Sequence, residues 1–164
     1  MLEKTFYHGS PVYEEILRRG FDHDAPRRCD PGDFGWGVYL TAQLARAKCH
    51  GPVLEVRVET SRLAFIRNPY FLKDLQSFPP ETPEEKLFHE LVFGDRGEMR
   101  TVKTFPGETP TRDAVCREVQ RVFLLEGYSG ITTGMDDQET VLFDLSAVLL
   151  VSNLQKVTRT SRAP

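Results

Sequence analysis

Three short stretches of this sequence set a polar or aromatic side chain beside an apolar run of strand composition. They are Tyr7-His8-Gly9, Gly35-Trp36-Gly37-Val38-Tyr39-Leu40-Thr41 and Asp136-Asp137-Gln138-Glu139-Thr140-Val141-Leu142-Phe143. His8 brings an imidazole next to Gly9, a bare stretch of backbone that a ligand can approach closely. Tyr39 follows a glycine-rich loop and offers a flat ring face. Glu139 places a carboxylate at the opening of a strand. Singly, each has a structural explanation: a hydrogen-bonded histidine at a strand end, a core tyrosine whose hydroxyl finds a partner, and an exposed acid after an Asp136-Asp137 turn. Together, and in this order, they point to one site. Spacing among the His, Cys and Asp residues matches no metal-ligand pattern, so the expected chemistry uses no metal.

The elements that must position these residues can be read from pattern and punctuation. Lys4 to His8 reads as a strand, followed by Ser10 as an N-cap and Pro11 at the first helical position, with Ile16 and Leu17 inward and Gly20 as the stop. Residues 21–35 are rich in Asp, Pro and Gly and read as a loop, long enough to serve as a lid. Residues 35–41 return to strand composition, and Thr41 can cap a helix over 42–49. Val53 to Val58 alternates as a half-buried strand. An irregular stretch follows around Asn68-Pro69 and Pro79-Pro80. Thr82-Pro83-Glu84-Glu85 is a capping box opening a helix that Gly94 and Gly97 end. A second marked helix follows Thr109-Pro110, with Val115, Val119, Val122 and Phe123 at helical spacing and Gly127 beyond it. Strands over 128–133, 139–143 and 148–151 finish the chain. The fold class expected is α+β, with short strands in two packed sheets and three or four flanking helices.

In their order along the chain, the three stretches resemble the His-Tyr-Glu signature of the ADP-ribosyltransferase fold, in the branch of diphtheria toxin and the poly(ADP-ribose) polymerases. His8-Gly9 matches the family's first-strand H-G. Gly37-Val38-Tyr39-Leu40 resembles its G-x-Y-(F/L) strand, here followed by a helix rich in small residues (Ala42, Ala45, Ala47). Glu139-Thr140-Val141-Leu142-Phe143 resembles its glutamate strand. The resemblance implies two small antiparallel sheets around an NAD cleft, and an NAD-dependent mono-ADP-ribosyltransferase. NAD would be a substrate, cleaved at the nicotinamide–ribose bond, and the acceptor is left open among protein, nucleic acid and small molecule. His8 would hydrogen-bond an adenosine ribose hydroxyl, and the Gly9 backbone would meet the nicotinamide carboxamide. Tyr39 would present its ring to nicotinamide, and Glu139 would accept from the 2′-hydroxyl of the nicotinamide ribose. Ser10 and Gly37 join the NAD-binding set. His50 stands eleven residues after Tyr39, near where polymerase-like members carry a second aromatic, and Ala47 stands where a small hydroxyl residue often binds the carboxamide. That leaves Trp36 or Phe34 as further candidates for the nicotinamide pocket. Asp137, with Gln138, would face the acceptor.

Two relatives of the same fold share pieces of this pattern. Rifamycin-modifying ADP-ribosyltransferases carry F-Y-H-G-(T) and V-Y-L-T, close to residues 6–10 and 38–41, but use Asp where this chain has Glu139. The tRNA 2′-phosphotransferases share an H-G start and rely on basic residues for RNA phosphate. A non-catalytic module that binds NAD or ADP-ribose is the alternative outside enzymes. The 164 residues, 40% hydrophobic and 27% charged, suit a single domain, expected over 1–155 with a frayed basic tail at 156–164. A net charge of −3 argues against a general electrostatic grip on nucleic acid. Three widely spaced cysteines, no secretion signal and no membrane-length apolar run make a cytoplasmic setting the expectation. Whether an antitoxin or inhibitor partners the chain stays open.

Overall fold

The computed structural model describes residues 2–28, 31–67, 78–94, 99–101, 109–134 and 139–154. Its strands are β1 (Glu3–Gly9), β2 (Pro31–Gly32), β3 (Gly35–Trp36), β4 (Val38–Thr41), β5 (Val53–Glu59), β6 (Leu63–Ile66), β7 (Gly130–Thr133), β8 (Glu139–Leu142) and β9 (Val148–Asn153). The helices are α1 (Tyr13–Arg19), the single turn α2 (Ala25–Arg28), α3 (Leu44–Lys48), α4 (Pro83–Val92) and α5 (Thr109–Leu125). Seven strands form one sheet in the order β6-β7-β8-β4-β1-β5-β9, while β2 and β3 make a small separate hairpin. Only the β6–β7 pair in the sheet is parallel among the described residues.

The fold is α+β, but the expectation of two packed antiparallel sheets needs correction. β1 pairs with β5 over seven residues, from Glu3↔Glu59 to Gly9↔Val53. By contrast β1 meets β4 at one register pair, Tyr7↔Thr41. That single rung stitches the block β1-β5-β9 to the block β4-β8-β7-β6, so the two form one mixed sheet with a narrow seam. The parallel edge strand β6, Leu63–Ile66, was not read from the sequence; it pairs with β7, more than sixty residues away.

Strand alternation sends side chains to two faces, and each face has its own core. On one, Phe6, Val38, Leu40, Leu54, Val56 and Leu142 pack with Ile16 of α1. On the other, Ile66, Ile131, Val141 and Phe143 pack with Phe88 and Val92 of α4 and Val115, Val119 and Phe123 of α5. Phe6, with Val38 and Leu40, thus backs the seam from the first face.

Local chemistry explains most element ends and moves two of them. Thr82 caps α4, accepting from the Glu85 N–H at 3.2 Å, and the Glu85 carboxylate reaches back to the Thr82 N–H. Gly20 (φ 78°) and Gly127 (φ 89°) follow α1 and α5 in the left-handed region that glycine enters without strain. Ser10 is not the N-cap of α1: Val12 holds the cap position, and the Ser10 N–H continues the β1 pairing to the Pro52 carbonyl at 3.0 Å. Its hydroxyl instead accepts from the Val12 N–H at 3.3 Å, and the helix starts at Tyr13. Thr41 likewise stays in β4, accepting from the Gln43 N–H at 3.0 Å, and α3 begins at Leu44. Residues 21–35 are not a plain loop: they carry α2, β2 and the start of β3. No helix among the described residues is long and apolar enough to cross a membrane.

Candidate functional site

Beyond the Tyr7–Thr41 rung the strands part, and a cleft of about 590 Å³ opens. Of the described residues named as site candidates from the sequence, His8, Gly9, Ser10, Gly37, Tyr39, His50 and Glu139 line it, and Phe34 and Trp36 do not. Asp137 and Gln138 lie outside the described residues, as do the tail from 156 onward and Cys29.

The parting of the strands has a specific cause. Hydrogen-bonded and non-bonded pairs alternate along an antiparallel ladder. Since Ser10 N–H bonds to Pro52 across the β5 side, the alternation turns the backbone groups of Tyr7 and Gly9 toward β4. Tyr7 is met there by Thr41, and the next rung would pair Gly9 with the Tyr39 carbonyl. That carbonyl is instead occupied by the His8 ring, Nδ1 to O at 2.9 Å. A carbonyl only accepts, so Nδ1 carries the proton and Nε2 keeps its lone pair. Burial lowers the His8 pKa, the Tyr39 carbonyl works to raise it, and the nearby His50 lowers it again. His8 is therefore a neutral acceptor at Nε2, and the Gly9 N–H and C=O face the cleft.

Glycine at position 9 also has a packing reason. A Cβ there would overlap the Ala47 carbonyl oxygen of α3, a backbone atom with no rotamer to move. Ala47 is itself buried, and His50 donates its N–H to the same carbonyl at 3.0 Å. A Cβ at Gly37 would press on the Leu142 carbonyl and the Val141 side chain of β8, so this glycine lets β4 lie flat at the cleft edge.

Tyr39 is held by the β2–β3 hairpin. Its hydroxyl donates to the Gly35 carbonyl at 2.7 Å and accepts from the Phe34 N–H at 3.1 Å. Gly32 rests so close to the phenol end that a Cβ would overlap it. Burial raises the hydroxyl's pKa well above the usual tyrosine range, with the Glu139 charge adding to the effect, so Tyr39 supplies a fixed neutral ring. Trp36 and Phe34 do not contribute to the pocket. Phe34 is in the core, stacked on Phe88 at 5.6 Å, and Trp36 is buried beneath the Arg117 guanidinium at 4.1 Å.

Glu139 opens β8 opposite Thr41, on the edge of β4 away from β1, and still lines the cleft. The buried Thr133 hydroxyl fixes its backbone from β7, accepting from the Glu139 N–H at 3.0 Å and donating to the Glu139 carbonyl at 3.1 Å. Arg46 Nη2 stands 3.7 Å from its carboxylate. The cleft is completed by Asp33 of the hairpin and Arg112 of α5, whose Nε donates to the Thr101 carbonyl at 2.6 Å. Sequence reasoning missed Thr133, Arg46, Asp33 and Arg112. Arg46 could have been sought one helical turn beyond the Tyr39 strand, but the others carry no local signal and reach the site only through tertiary packing. Among the described residues no cluster of His, Cys, Asp and Glu has the arrangement of a metal site.

No family model and no curated protein matches the chain. Among solved structures, one described as the crystal structure of an anti-CRISPR protein aligns over 93% of this chain and 96% of its own, at 11% identity and a TM-score of 0.42. A likeness that low supports no conclusion about fold or function.

Proposed function

We propose that this protein is an NAD-dependent mono-ADP-ribosyltransferase that cleaves the nicotinamide–ribose bond and passes ADP-ribose to an acceptor. One observation carries the reading. The His8 side chain replaces the β1–β4 rung at Tyr39, and the opened seam gathers a neutral imidazole acceptor, the Gly9 backbone, the Tyr39 ring and the Glu139 carboxylate around one cleft.

Each group has a physical part in that reaction. Gly9 offers an N–H donor and a C=O acceptor side by side, the complement of a primary carboxamide. The Tyr39 ring gives a flat apolar surface for an aromatic base. His8 Nε2 accepts from a ribose hydroxyl. Loss of nicotinamide builds an oxocarbenium-like sugar, and a carboxylate hydrogen-bonded to its 2-hydroxyl stabilises that transition state, as in glycoside hydrolysis. Bonds from Thr133 to the Glu139 backbone fix the start of the strand that carries this carboxylate, which supports a charge held ready before substrate arrives. The acceptor's class stays open among protein, nucleic acid and small molecule.

The test is release of nicotinamide from NAD, with Glu139→Gln as the matched control. Loss of the carboxylate charge is expected to lower turnover by roughly 10²–10³. Nicotinamide release that is absent in the wild-type chain, or equal in the variant, would sink the catalytic reading; saturable NAD binding without turnover would favour a binding module.

A further inference from the structure

Two guanidinium groups from distant parts of the chain line the same cleft. Arg46 comes from α3 and Arg112 from the first turns of α5. Asp33, on the hairpin tip between β2 and β3, lines the cleft too. Burial raises the Asp33 pKa, while the charges of Arg112 and then Arg46 pull it down, so both guanidinium groups act on this one carboxyl. Neither is used up in a tight ion pair among the described residues. Arg46 stands at 3.7 Å from Glu139, near the limit of such contacts, and Arg112 spends its Nε on a neutral carbonyl. The hairpin holding Asp33 is pinned at several points. The Asp33 carbonyl accepts from the Thr101 hydroxyl at 2.7 Å, the Gly32 carbonyl from the Cys116 thiol at 3.5 Å, and the Tyr39 hydroxyl holds Phe34 and Gly35.

We infer that Arg46 and Arg112 form a diphosphate subsite, with Asp33 as an acidic side chain lining the cleft beside them. Guanidinium forks match phosphate oxygens in geometry as well as charge, and two of them suit two linked phosphates. Asp33 and Glu139 line the same cleft, so an entering anion meets their charge as well as that of the arginines. Asp33 thus tempers the affinity, weakening the binding of a phosphate ligand. The inference rests on the NAD reading for its ligand, yet it concerns charge recognition and can be measured without turnover.

Calorimetry with inorganic pyrophosphate and with ADP-ribose tests it, using Arg46→Gln, Arg112→Gln, Arg112→Lys and Asp33→Asn chains whose folding is checked by thermal melts. Each Gln variant is expected to weaken both ligands about tenfold or more, the loss of a charge-assisted hydrogen bond. Arg112→Lys should recover part of that loss, since lysine keeps the charge but not the fork. Asp33→Asn should tighten both ligands several-fold, a gain that a merely structural aspartate would not produce. Unchanged affinity in both Gln variants, or weaker binding in Asp33→Asn, overturns the subsite. The two readings fail separately. Nicotinamide release with unchanged KM in both arginine variants removes the subsite and leaves the enzyme. Arginine-dependent pyrophosphate binding without NAD cleavage removes the enzyme and leaves the subsite.

Discussion

Thr133→Val isolates the contact that places Glu139. Valine matches threonine in shape, so the buried pocket on β7 stays filled while the hydroxyl is lost. In the wild type that hydroxyl serves both backbone groups of Glu139, at 3.0 Å and 3.1 Å. The variant leaves a backbone N–H facing a methyl group, where an unsatisfied buried donor costs about 1–3 kcal/mol. Adding the lost donation to the carbonyl gives a total of about 2–4 kcal/mol. For a chain of this size, about 2–4 °C per kcal/mol converts this to a fall in Tm of about 4–16 °C. The strand start should also shift, and misplacing a catalytic group by about 1 Å can cost on the order of 10² in rate. Nicotinamide release should therefore show kcat lowered by about 10–10², with KM changed little, the signature of a loss confined to the transition state. Thr133→Ser keeps the hydroxyl and should restore kcat. Wild-type kcat in the Val variant would refute the positioning argument, and so would a Ser variant as impaired as Val, which would assign the effect to the methyl group.

Two further outcomes follow from the packing. Glu85, with 3% of its side chain exposed, accepts from Arg67 Nε at 2.6 Å and Nη2 at 2.8 Å and from the Glu81 N–H at 2.8 Å. Glu85→Gln should cost about 3 kcal/mol, the lower end for breaking a buried pair. Arg67 first, then the backbone donors, holds the Glu85 pKa down to about 2 from 4.5. A folded pKa below the unfolded one gives stability that is present above 4.5 and lost as pH falls toward 2, so the variant's acid melting curve should be flatter across that window. Gly9→Ala should lower stability by about 1–3 kcal/mol, because its Cβ meets backbone and α3 must move; a melt unchanged from wild type would show that the helix yields without strain.

Local rules made the start of α4 and the end of α5 legible, whereas α4 stops at Val92, short of the expected Gly94. The box Thr82–Glu85 and the glycine after Leu125 act within a few residues, and the structure shows both. The same locality misled at Ser10, a good N-cap type whose N–H is claimed by Pro52 forty-two residues away. His8, Tyr39 and Glu139 were legible as candidates because each interrupts an apolar strand with a group that strand packing does not need. Phe34 and Trp36 look equally available in the sequence, but α5 and α4 bury them, and nothing local announces that. Thr133, Asp33 and Arg112 were invisible for the same reason, since their relation to the cleft exists only once α5 and β7 are packed.

The seam between β1 and β4 is closed by unlike means on its two sides. On one face Phe6, Val38 and Leu40 press together without directional bonds; at the cleft end an imidazole stands in for a peptide rung. Apolar contacts have no preferred direction, so register at this seam is carried by the Tyr7–Thr41 rung and the imidazole contact. The Gly9 amide, turned away from β5 at this point, becomes a natural isotope-exchange reporter. Its exchange rate in the empty protein measures how far the seam breathes, and its slowing measures how much of the missing rung a ligand supplies.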